Sequence, residues 1–140
     1  MKNAVKNFEK GYNCAQSVFL AYCNEHGISE ELGLKIASSF GGGMGRLREV
    51  CGAVSAMFAI AGLKYGYTSP EDDNAKQKHY ELIQKLANEF KNKHKTIICR
   101  ELLGEDISDS PVPSKRTEEY YAERPCIEFI KTACELIEKL

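Results

Sequence analysis

The sequence of 140 residues contains no apolar run near the roughly 20 residues that a bilayer crossing needs. Met1 to Tyr12 reads MKNAVKNFEKGY, with charges scattered through it and no apolar stretch of signal-peptide length. Neither membrane insertion nor export is expected, and a cytoplasmic location is. The chain also lacks a charge bias: 19 basic residues stand against 20 acidic ones, for a formal net charge of −1. Nucleic acid and acidic membranes recruit strongly basic surfaces, so neither is an expected partner. The basic cluster Lys91 to Lys95 falls at the end of an expected helix, where it complements the helix dipole.

Several chemical signatures are missing too. No C-x-x-C occurs, which excludes a zinc ribbon or a thioredoxin-type motif. The glycine-rich stretch lacks the Gly-Lys-Ser/Thr ending of a P-loop, and no G-x-G-x-x-G follows a strand. His26, His79 and His94 make no i, i+4 metal-ligand pair, and no Ser-His-Asp set or carboxylate pair stands out from ordinary surface acids. There is no repeat and no composition break. Residues 1–140 therefore read as one domain, long enough to bury a core without disulfide support.

What is present is helical. The expected fold is all-α, a bundle of about five to six helices around a buried central one at about 50–65. A first helix covers roughly 2–10 and stops at Gly11; Asn13 caps a second that runs to about His26. Ser29 caps a third, 30 to about 40. Gly41-Gly42-Gly43-Met44-Gly45 then breaks the pattern. The central helix follows, apolar on nearly every side. Ser69-Pro70-Glu71-Asp72 starts a fifth, whose stripe is Tyr80, Ile83, Ala87 and Phe90. One or two turns follow Cys99, residues 105–115 form a loop, and Pro125 opens the last helix.

Six cysteines stand in this frame, four of them where a helix begins: Cys14, Cys51, Cys99 and Cys126. Free N–H groups and the positive pole of the dipole at a helix start favour thiolate over thiol. Cys23 and Cys134 fall late in helices and read as buried structural thiols. Ahead of Cys51, Gly41, Gly42 and Gly43 read as a nest of N–H groups able to hold an anion or cofactor, with Gly52 just behind and Arg46 and Arg48 nearby. A flexible connection is the plainer reading. Two mechanisms suit the four cysteines. Bare thiols, with Cys51 or Cys14 attacking and a second cysteine resolving, need no cofactor. Alternatively, the same four thiolates ligate an iron–sulfur cluster or zinc. A non-catalytic helical binding module is the reading from a different class. The sequence leaves the redox partner or small oxidant unnamed and the oligomeric state open, a homodimer included.

These residues resemble a family. Gly11-Tyr12-Asn13-Cys14-Ala15, the glycine loop, Cys51-Gly52-Ala53-Val54-Ser55-Ala56, Cys99 before Leu102-Leu103 and Cys126 after Pro125 are similar to the C_GCAxxG_C_C family of small redox-active proteins. The resemblance covers nearly the whole chain. It implies that Cys14, Cys51, Cys99 and Cys126 act together and that Gly52 is the first glycine of the second motif. Ala56 stands where that motif closes on glycine.

Overall fold

Helix ends leave backbone N–H and C=O groups without intrahelical partners, and in this chain short side chains and glycines take them up. The computed structural model describes residues 2–140. Helix α1, Lys2–Glu9, stops ahead of Gly11. Asn13 starts α2, Cys14–Tyr22, through a reciprocal cap: its side chain accepts from the Gln16 N–H, and the Gln16 side chain accepts from the Asn13 N–H. A 3-10 turn, Cys23–His26, ends on left-handed Gly27. Ser29 caps α3, Glu30–Ser38. The remaining helices are α4, Gly52–Tyr65; α5, Asp73–His94; α6, Cys99–Leu103; α7, Glu118–Glu123; and α8, Cys126–Glu138.

The fold is all-α, and the described residues contain no strand. The boundaries differ from expectation in three places. Cys51 is the cap of α4 rather than a residue of its first turn. Helix α5 starts at Asp73, because the Asp72 side chain accepts from the Ala75 N–H and leaves Ser69 and Pro70 in a preceding turn. Helix α7 has no counterpart in the sequence reading, although Thr117 caps it by accepting from the Tyr120 N–H and Glu118 and Glu119 suit its first turn.

Helices α2 and α4 share the centre. Helix α2 packs against α1, α3, α4 and α8, while α4 also meets α5 and α8. Val54, Met57, Ile60 and Ala61 of α4 are fully buried against Val18 and Phe19 of α2 and Ile130 and Ala133 of α8. Each of the larger side chains contributes about 1.5–3 kcal/mol by leaving water. The last turn of α4 emerges at Leu63 and Tyr65, so its burial is confined to the first three turns. On α5 the buried residues are Leu86 and Phe90, whereas Tyr80 is exposed and its hydroxyl meets that of Tyr67. No helix among the described residues is long and apolar enough to cross a membrane.

Candidate functional site

The glycine segment makes one tight turn after another. Gly42, Gly43 and Gly45 have φ of 65°, 67° and 60°, and Met44, Arg46 and Arg48 are left-handed as well. Left-handed backbone costs a residue with a side chain about 1–2 kcal/mol, so three such residues mark a stretch held by its surroundings. What holds it is hydrogen bonding. The N–H groups of Met44, Gly45, Arg46, Leu47, Arg48 and Glu49 bond to carbonyls within 40–44. These six N–H groups close turns and are not presented to a ligand; the three read as a nest, those of Gly41, Gly42 and Gly43, are not among them.

The chain leaves the turn as a short extended piece. Val50 and Ile98 form an antiparallel bridge; the Cys51 N–H donates to Ile97 O at 2.8 Å and the Cys99 N–H to Glu49 O at 2.6 Å. Side chains alternate along extended backbone, so Val50 and Ile98 share one face and Cys51 and Cys99 share the other. Backbone pairing thus brings two cysteines from distant segments to the same face as diagonal neighbours. The other two enter through glycine gaps and helix packing. A Cβ on Gly52 would stand 2.5 Å from the Cys14 Sγ, so only a bare backbone at the start of α4 admits that sulfur. Gly43 does the same for Cys99, whose Cβ would be 2.5 Å from a Cβ on Gly43. Cys126 starts α8 behind Pro125.

All four cysteines line a single cavity of about 270 Å³. Gly41, Gly42 and Gly52 also line it, while Gly43 lies buried beneath Cys99. Ala56 is buried within α4 and does not line the cavity. Phe8, Leu102, Leu103 and Phe129 supply apolar wall, and Pro111 and Pro113 bring the 105–115 loop over it. That loop is therefore part of the site. Cys23 and Cys134 lie elsewhere, both fully buried.

The four thiols differ in exposure. Cys14 is half-buried; Cys51, Cys99 and Cys126 are 5%, 6% and 9% exposed. Burial pushes Cys51 well above the ordinary thiol range, and the neighbouring Cys14 adds to this; the N–H groups of Val54 and Ala53 pull the other way. Burial and then Cys14 push Cys126 up to about 12. Cys99 is raised by burial too, against the Arg48 guanidinium, which donates to its Sγ at 3.7 Å. The helix-start effect exists at Cys51, but desolvation outweighs it. The sequence points to Cys51 or Cys14 as the low-pKa thiol; burial moves Cys51 the other way, well above the ordinary range.

Cys14 helps to raise Cys51, Cys99 and Cys126 alike, so it lies near all three. Among the described residues, no group of three or more His, Cys, Asp or Glu is arranged to hold a metal ion.

Arginines complete the lining: Arg46, Arg48, Arg116 and Arg124. Arg48 is 3% exposed and donates through Nε to Ser108 O at 2.9 Å. Arg116 donates to Phe8 O and Tyr12 O and stacks on Phe8 and Tyr120, with its Cζ 4.6 and 4.7 Å from the ring centroids. The sequence reading noticed Arg46 and Arg48 but missed Arg116 and Arg124. Arg124 could have been suspected from its place two residues before Cys126. Nothing local marks Arg116.

A family model described as "Putative redox-active protein (C_GCAxxG_C_C)" matches residues 12–140. No curated protein and no solved structure matches the chain.

Proposed function

The chain belongs to the C_GCAxxG_C_C family, and from that premise we propose that its cavity is a thiol–disulfide site that reduces a small disulfide by two electrons. The observation that carries this reading is the convergence of Cys14, Cys51, Cys99 and Cys126 on one cavity from four separate segments.

Cys14 is the attacking thiol, because it alone is partly open to solvent and lies near the other three. Its thiolate attacks one sulfur of the substrate disulfide; the S–S bond breaks, and the leaving thiolate takes a proton from water. Cys51 resolves the resulting mixed disulfide. Gly52 lets the Cys14 sulfur lie against the start of α4, beside Cys51. Attack by Cys51 on the Cys14 sulfur releases the second substrate thiol and leaves a Cys14–Cys51 disulfide. An external dithiol then reduces that disulfide and is itself oxidised, closing the cycle. The Cys51 proton must leave during resolution, and the Val54 and Ala53 N–H groups at the helix start stabilise the thiolate that forms.

A reducing, cytoplasmic compartment belongs to the same reading, since it returns the cavity cysteines to thiols between turnovers. The test is turnover of bis(2-hydroxyethyl) disulfide with an external dithiol. Cys14→Ser is expected to abolish it. Cys51→Ser is expected to stop the cycle after one equivalent and to trap a mixed disulfide on Cys14, visible as added mass. Full turnover in Cys14→Ser overturns the assignment. Iron or zinc bound at one equivalent in anaerobically purified protein would replace it with the metal reading.

A further inference from the structure

The cavity carries an uncompensated positive charge. Four guanidinium groups line it and no Asp or Glu does. Among the described residues, the ion pairs involve Lys35, Lys76, Lys93, Arg100 and Lys131, and none involves these four arginines. Their donors are also largely unused. Each guanidinium offers five N–H groups. Arg46 donates to Ser114 Oγ, Arg48 to Ser108 O and Cys99 Sγ, and Arg116 to Phe8 O, Tyr12 O and Tyr121 Oη. Among the described residues the Arg124 guanidinium has no hydrogen-bond partner, and it rests over the Tyr120 ring, its Cζ 4.9 Å from the centroid. The guanidinium groups also crowd one another: burial and the charges of Arg48 and Arg124 both work against the Arg46 cation. Burying cations without a counter-charge is costly, and Arg48, almost wholly buried and left-handed in its backbone, is the extreme case.

Thiols do not supply enough charge: burial holds Cys51, Cys99 and Cys126 towards the protonated form, and a Cys14 thiolate offsets only one of the four cations. An anionic ligand would supply more. Planar guanidinium forks match carboxylates and oxyanions, and a low-dielectric wall of Phe8, Leu102 and Phe129 strengthens the attraction.

We propose that the cavity selects a small dianion, and that the substrate is a disulfide bearing carboxylates, held by Arg46, Arg48, Arg116 and Arg124 over the four thiols. The reaction part rests on the thiol reading above; the charge selectivity rests on the arginines alone. The balance for the simplest such substrate is direct. Dithiodiglycolate and two cysteine thiols give a protein disulfide and two thioglycolates.

The experiment compares three disulfides of similar size: dianionic dithiodiglycolate, neutral bis(2-hydroxyethyl) disulfide and dicationic cystamine. The dianion is expected to exceed the neutral compound in kcat/KM, and the neutral compound the dication, by about tenfold or more between the extremes. Arg124→Gln and Arg46→Gln are expected to narrow the ratio of anionic to neutral rates, and Arg124→Lys to restore part of it. Lys91→Gln, the same charge change on an exposed residue of α5 away from the cavity, is expected to leave the ratio alone. Calorimetry with adipate, which replaces the S–S bond by C–C, reads the anion site without turnover. Adipate is expected to bind, 1,6-hexanediol not, and Arg124→Gln to weaken adipate. Equal rates for the three disulfides, or no adipate binding, overturn the inference and leave the thiol reading standing. Adipate binding with none of the disulfides reduced upholds the selectivity and overturns the thiol reading.

Discussion

Desolvation and helix-start charge compete at each cysteine, and their balance separates the thiols. At Cys126 desolvation wins, and burial and then Cys14 raise it from the ordinary value of 9.0 to about 12. This has a consequence for stability. A thiol whose pKa is higher in the folded protein binds its proton there while the unfolded chain releases it. The stability it contributes is whole below about pH 9 and is lost as pH rises towards about 12. The slope is about 1.4 kcal/mol per pH unit for one proton, and Cys51 and Cys99 act in the same direction. Urea unfolding of the reduced protein across this range is expected to show stability falling with pH, and Cys126→Ser to make the fall shallower by about one proton. A pH-independent midpoint above pH 9 would contradict the buried, protonated state of Cys126. The sequence reveals that Cys51 and Cys126 stand at helix starts, because caps and prolines are local signals. It does not reveal their burial, which is set by what the rest of the chain packs over them.

Among the elements, the glycine turn carries the most information per residue. Its positions look alike in sequence but differ in what surrounds them. Gly43 has φ of 67°, and a Cβ there would lie 2.5 Å from the Cys99 Cβ and 2.9 Å from the Arg48 Cα. Gly45 has φ of 60°, and its nearest heavy atom would be 3.9 Å away. Gly45→Ala is therefore expected to cost only the left-handed penalty, about 1–2 kcal/mol. Gly43→Ala adds overpacking of about 1–3 kcal/mol and pushes Cys99 out of line. Denaturant midpoints measure the first difference, and the rate of Cys99 alkylation the second. Equal losses would mean that the turn is a tether rather than a template for the cysteine. Helix α7 and the loop before it teach a related lesson. Thr117, Glu118 and Glu119 form a legible helix start that the two flanking prolines of the loop overshadow. That the loop roofs the cavity depends on Arg46 reaching Ser114 and Arg48 reaching Ser108, contacts 60 or more residues apart in the chain.

Across the whole molecule, a chain of nearly balanced charge hides a strongly cationic interior surface. Composition reports the sum of charges and says nothing of where folding gathers them. The same holds for the thiols: sequence motifs pick out the four cysteines, but only the packing of α2, α4, α6 and α8 brings them to one cavity. The all-α bundle itself is legible, since its helices announce themselves through periodic apolar residues and local caps. Convergence is the central claim here, and disulfide mapping tests it most directly. Reduced protein treated with one equivalent of diamide, quenched in acid and digested is expected to yield a Cys14–Cys51 disulfide, with Cys23 and Cys134 recovered as free thiols. Recovery of Cys14 as a free thiol, or bridges that draw in Cys23 or Cys134, would contradict it.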